Sequence, residues 1–322
     1  MSLLNDPISR RRALALGGSI AGGFIVGSSP LLSSSPSVAF ASGGDLPVKQ
    51  IEEIMEAPGM VMNGVLSIEI DREDLDVTQH IPGYGSVPFK PAWENNGTFF
   101  FQSLGNGQVI MNGDFGGLLP EEIDPFIDKL LEGNLVFQAL HQHFYDLDPQ
   151  VWFIHFRQVG DPLQIARAAI AAVKVTSTPL PQSSPSNPTT PLPAEELGRI
   201  LGGSPTVGAS GVVTVDVPRL NPIILGGVQI SPFLNVANTI SFEPLGNNGQ
   251  AAAAPDFSMI ASEIQNVTRV MRGQGWVDGC LYNQETDEQP QLYFSHMVKL
   301  GDSVQLAKEI RKGLDQTNSQ GS

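Results

Sequence analysis

A single cysteine, Cys280, occurs in 322 residues, so no internal disulfide can form even in an oxidising compartment. Basic residues are also scarce: 18 Lys and Arg stand against 33 Asp and Glu, a formal charge of −15. Phosphate backbones and anionic membrane surfaces would repel such a chain, whereas cations are compatible with it. No apolar run reaches the ~20 residues of a bilayer span; the stretch from Ala13 to Gly27 is broken by glycines. Motifs for common chemistry are missing as well. "GDFGG" and "LGNGQ" lack the strand-to-helix phosphate loop that gives such glycines meaning. No serine sits in a nucleophile-elbow pattern.

What is present begins with an address. Ser9-Arg10-Arg11-Arg12-Ala13-Leu14 resembles a twin-arginine export motif, and Ala39-Phe40-Ala41 offers small residues at the positions a signal peptidase reads. The expected cleavage follows Ala41, which makes residues 1–41 a signal peptide and removes three arginines and one aspartate. The mature chain is then more acidic still. No cysteine stands near that point to carry a lipid, so the expectation is a periplasmic or extracellular protein without stable membrane insertion.

The chain then repeats itself. "TFFFQSLGNG" (from Thr98) aligns with "TISFEPLGNN" (from Thr239) at an offset of 141. At the same offset "DPQVWFIHF" (from Asp148) falls on "QPQLYFSHM", and "GDPLQIARAAI" (from Gly160) on "GDSVQLAKEIR". Ordered matches over about 110 positions indicate a tandem duplication. Copy one is expected over 42–176 and copy two over 194–322. The proline-rich stretch 177–193, "STPLPQSSPSNPTTPLP", reads as a semi-rigid linker outside either core.

Within a copy, Val65 to Ile70 alternates apolar and polar side chains like a half-buried strand. Phe99 to Ser103 follows, then Val109 to Asn112, ending at Asn112-Gly113. Pro120 to Leu131 reads as a helix, with Glu121, Glu122 and Asp124 favourable in its first turn. Leu135 to Tyr145 and Val151 to Phe156 read as a hairpin, and Asp161-Pro162 starts a last helix. The fold class is therefore α+β: two tandem copies of an antiparallel-rich β-β-β-α-β-β-α domain.

Three of five histidines lie in "ALHQHFYDLDPQVWFIHF". His141 and His143 are two apart, so on a strand their rings leave one face and can address one metal ion. A five-residue hairpin loop brings His155 to that face, and a four-residue loop sends it to the other. Asp114 and Glu122 are carboxylate candidates for the same ion, although Glu122 and its counterpart Glu263 equally suit a helix dipole. Copy two has Tyr282 and Gln284 in place of His141 and His143 but keeps His296 opposite His155. That retention reads as an architectural histidine bonded to a backbone carbonyl. Cys280, opposite Ala139, reads as a small filler, and His80, in a Pro/Gly-rich loop, is assigned no role.

"ALHQHFYDLDPQVWFIHF", preceded by "MNGDF" and followed by "GDPLQIARAAIAAV", resembles the LppY/LpqO family of exported bacterial proteins, a domain of unknown function. The resemblance covers nearly all of copy one and, more weakly, copy two. Gln142 stands where the family more often has Asn, and the usual lipid-attachment cysteine is missing, which implies release. The family implies fold and destination and supplies no reaction.

Three functions stay open. The first is an extracytoplasmic binding protein holding a transition metal ion, or a metal-bearing or other small ligand, through His141, His143 and His155, with copy two completing or covering the cleft. The second is a structural or interaction protein of the cell envelope with a protein partner and no cofactor. The third is a metal-dependent hydrolase, which needs an open coordination position and a carboxylate base.

Overall fold

A computed structural model describes residues 46–321 apart from 92, 184–187 and 209; the signal peptide expected over residues 1–41 lies outside the described residues. Copy one runs α1 (Val48–Met55), β1 (Gly59–Met62), β2 (Val65–Asp71), β3 (Thr78–Ile81), β4 (Gly85–Pro88), β5 (Asn96–Gly105), β6 (Gln108–Leu118), α2 (Pro120–Glu132), β7 (Val136–His141), β8 (Leu147–Asp148), β9 (Trp152–Gly160) and α3 (Pro162–Val173). Copy two runs α4 (Ala194–Leu201), β10 (Ser204–Val207), β11 (Val213–Val217), β12 (Ile223–Leu225), β13 (Val228–Ile230), β14 (Asn238–Pro244), β15 (Gln250–Met259), α5 (Ala261–Gly273), β16 (Val277–Asp278), β17 (Tyr293–Asp302) and α6 (Ser303–Leu314).

Each copy builds one antiparallel six-stranded sheet. The orders, β1-β2-β5-β6-β9-β7 and β10-β11-β14-β15-β17-β16, are the same topology repeated. Helices cover one face of each sheet. On β2, Leu66, Ile68 and Ile70 point under the helices with Phe99, Phe115, Phe126 and Phe156, and Phe115 stacks on Phe126 at 4.9 Å. Asp161 caps α3 by accepting from the Leu163 and Gln164 amides, as its Asp-Pro start requires. The α+β class and the repeat hold.

The opposite faces of the two sheets meet. Val65 and Ile110 of copy one share an apolar cluster with Ile223, Leu234 and Phe294 of copy two. Phe144, Leu147 and Phe153 share another with Val212, Ala254 and Val298. Contacts repeat across this seam. Gln102 accepts from the Ser231 amide at 2.7 Å, and at the equivalent positions Glu243 pairs with Lys90 at 3.2 Å. A patch that contacts its own duplicate reciprocally is the signature of two-fold packing.

Four expectations change. An additional helix, α1, and strand, β1, precede β2. Strand β6 does not stop at Asn112-Gly113 but runs on to Leu118. Gly113 is a packing glycine, because a Cβ there would sit 2.7 Å from the Phe156 ring. The strand from Leu135 ends at His141, not Tyr145, and no tight hairpin follows. The chain leaves the sheet so that Phe144 and Leu147 can bury at the seam and β8 can pair with β3. Finally, the proline-rich stretch is not free of the cores: Leu192 is buried in that of copy two, and the Gln182 carboxamide exchanges hydrogen bonds with the Asp71 backbone. Among the described residues no helix is long and apolar enough to cross a membrane.

Candidate metal centre

The histidines gather at the seam. Ala139 pairs with His155 and His141 with Phe153, after a bulge between Phe137 and Ala139. Neither proposed loop length gives this register, yet it puts His141 and His155 on the same side, as the five-residue alternative would. Their Nε2 atoms are 2.8 Å apart, with ring centroids at 5.0 Å and planes 8° apart. The rings therefore meet nearly head to head. His143 is no longer on the strand. It reaches the same place from the departing chain, its ring 4.8 Å from that of His141 and packed between Phe153 at 3.5 Å and His296 at 3.8 Å.

Among the described residues, two sets of three side chains bring one potential ligand atom each within 4.8 Å of one another: His141, His143 and His155, and Glu94, His143 and His296. Geometry separates them. Glu94 Oε2 accepts from His143 Nδ1 at 2.9 Å and lies 3.3 Å from His296 Nε2. One carboxylate oxygen thus lies within reach of a nitrogen from each ring, so this set is a charge lock in which both imidazoles donate to Glu94.

Electrostatics agree with that division. Burial works against the charge of Glu94, but the charge of His296 and the bonds from His143 and His296 outweigh it and hold the carboxyl well below its usual range. Burial likewise opposes protonation of His296; Asp256 and Glu94 overcome it and raise that pKa well above the ordinary value. Burial, then the charge of His296, pushes His143 down to about 3. Burial first, and neighbouring imidazoles next, push His141 and His155 far down. The first set is thus three neutral imidazoles, the form that ligates metal. With Nδ1 donating to Glu94, His143 presents its Nε2 lone pair, and that buried atom has no hydrogen-bond partner. A carboxylate that fixes the far nitrogen of an imidazole is a recurring arrangement behind metal ligands.

The spacing also shows what must move. Tetrahedral imidazole ligands at ~2.0–2.1 Å from zinc stand ~3.3 Å apart. His141 and His155 are closer than that and share a proton, so a metal ion would displace the proton and part the rings by about half an ångström.

Asp114, opposite His155 in the ladder, lies 3.8 Å from its Nε2, its pKa raised well above the ordinary value by burial and then by Glu94. Glu122 is elsewhere: it holds Arg72 at 2.8 Å and caps the Leu119 amide, as Glu263 holds Arg219 at 2.8 Å in copy two. His80 bonds the Ser86 hydroxyl at an exposed hairpin. Two readings need correction. His296 bonds side chains of the centre, not a carbonyl, because the seam brings Glu94 to its Nε2. Cys280 is more than filler, since its Sγ lies 3.3 Å from His296 Nδ1.

Glu94, Tyr282 and Asp256 were missed. Nothing in the sequence marked Glu94; in the structure its φ is 68°, and that of its counterpart Asn235 is 59°. Asn is favoured in that left-handed region and Glu is not, so copy one holds Glu94 there against local preference.

A family model described as Domain of Unknown Function (DUF1259) matches residues 49–175 and again 195–316. No curated protein and no solved structure matches the chain. The chain belongs to that family, in two tandem copies.

Proposed function

We propose that this two-copy member of the Domain of Unknown Function (DUF1259) family is an exported binding protein that holds a transition metal ion through His141, His143 and His155, with Asp114 beside them. The observation that carries the reading is the unpartnered Nε2 of buried, neutral His143, oriented by Glu94 toward two further neutral imidazoles. An unpaired buried acceptor costs roughly 1–3 kcal/mol, which a bound cation would offset. Imidazole suits zinc, copper, nickel or iron. Copy two completes the centre: Tyr282 covers His141 at 3.7 Å, and His296 fixes Glu94. Export rests on the Ser9-to-Leu14 motif and the Ala39-Phe40-Ala41 site, and it agrees with the LppY/LpqO resemblance.

The test is elemental analysis of protein recovered after native export. Stoichiometric metal, lost in a His141→Ala/His143→Ala variant that still folds, is the expected result. Metal-free protein whose melting is unchanged by Zn²⁺, Cu²⁺, Ni²⁺ or Fe²⁺ would overturn it and leave a structural or interaction role.

A further inference from the structure

One polar row crosses each sheet. In copy one Glu69 pairs with Thr98, Thr98 with Asp114, and Asp114 with His155. In copy two Asp216 pairs with Thr239, Thr239 with Asp256, and Asp256 with His296. Directly opposed residues in antiparallel strands share a face, so each row is a line of acid, threonine, aspartate and histidine. At ~4.8 Å per strand a row spans about 14 Å.

The rows face each other tier by tier. Glu69 feels the charge of Asp216, Asp114 that of Asp256, and His155 that of His296. Accessibility falls along the line: Glu69 is exposed and Thr98 partly so, the Asp114 side chain keeps 22% and Asp256 14%, and His155 and His296 are buried. The fifth of the Asp114 side chain left open between two packed sheets marks a crevice wide enough for a sphere the size of water between the rows. Asp114 Oδ1 and Asp256 Oδ1 have no hydrogen-bond partner, and at the closed end neither does His143 Nε2, on a residue only 3% exposed.

We propose that this crevice is the approach path for a divalent cation: Glu69 and Asp216 gather the ion at the mouth, and Asp114 and Asp256 hand it to the histidines. The proposal rests on the metal reading above. Burial raises Glu69 to about 7, Asp256 to about 6, and Asp216 and Asp114 above the ordinary range, so the walls carry part of their charge at neutral pH. An arriving cation favours the ionised forms, and the charge they carry raises the local concentration of cations and repels anions. Thr239 supports its wall by donating to Asp216 Oδ1 at 2.9 Å. Glu69 and Asp216 stand three strands away from the histidines, so they act on arrival and not as ligands.

The experiment is stopped-flow association of Zn²⁺ with metal-free full-length protein at several salt concentrations. Glu69→Gln/Asp216→Asn is expected to slow association about tenfold at low salt and to flatten its salt dependence, with the bound stoichiometry unchanged. Glu132→Gln, at an exposed acid on α2, should leave the rate as it is. A double variant that binds at the wild-type rate overturns the path. Loss of stoichiometric metal in that variant also overturns it, by making the mouth acids ligands. Wild-type protein that takes up no Zn²⁺ at all sinks the metal reading itself, and with it this one.

Discussion

His141 and Tyr282 are the same position in the two copies, and their rings stack on each other at 3.7 Å with planes 27° apart. Duplicated residues in mutual contact must lie close to the pseudo-two-fold axis. The candidate centre is therefore built close to that axis, at positions where the two copies differ in side chain. One copy supplies an imidazole at the axis and the other an aromatic cover.

That contact predicts an asymmetry between two substitutions. Tyr282→Ala removes the cover and opens the seam, with an expected loss of about 2–4 kcal/mol in urea unfolding. Tyr282→Phe keeps the stacked ring and gives up only a long 3.4 Å bond to Gln284, so its expected loss is under ~1 kcal/mol. Equal losses would mean that the hydroxyl, not the ring, holds the seam.

Acid should test the neutral state of His143. Its pKa is about 3 when folded, against 6.5 ordinarily. Between those values the unfolded chain binds a proton there that the folded protein does not, so stability falls as pH drops below 6.5. Metal-free wild type should lose about 1 kcal/mol per pH unit relative to His143→Gln across that window. Parallel pH profiles for the two proteins would contradict a neutral His143.

Glu243 titrates with the opposite sign. Burial, only partly countered by Lys90, raises it to about 7. The folded protein therefore takes up a proton between pH 7 and 4.5 that the unfolded chain does not, and stability rises as pH falls through 7. Glu243→Gln installs the side chain that Gln102 supplies at the equivalent seam position. The expected result is a variant more stable than wild type at pH 8, with the gap closing by pH 5. Thermal melts at those two values would decide it.

Much of this was legible in the chain, and the misses have a common cause. Periodicity marked β2, α2 and α3 because each has one face under local control. The duplication was visible because both copies keep the same apolar pattern. The path of the chain after His141 was not visible, because Phe144 and Leu147 bury against residues of the other copy and no local pattern encodes that. Glu94 and His296 were missed as partners for the same reason: their meeting depends on how two sheets pack, about 200 positions apart in sequence. His141, His143 and His155 came together despite a wrong strand end and a wrong loop, since the actual register differs from one alternative by two residues and so preserves the face.

Gly279 gives the last prediction, on whether the seam sets the geometry of the centre. A Cβ at that position would lie 2.5 Å from the His143 carbonyl oxygen and 2.8 Å from the Phe144 ring. A carbonyl of a packed chain cannot swing aside as a side-chain tip can, so the segment carrying His143 must shift. Overpacking of this kind costs about 1–3 kcal/mol. The shift also draws His143 away from Glu94, which holds its tautomer, so Gly279→Ala should weaken metal affinity more than its loss of stability would suggest. Calorimetric titration on folded variant protein, beside a urea melt, measures both. Unchanged affinity alongside the expected destabilisation would show that the centre is set by copy one alone.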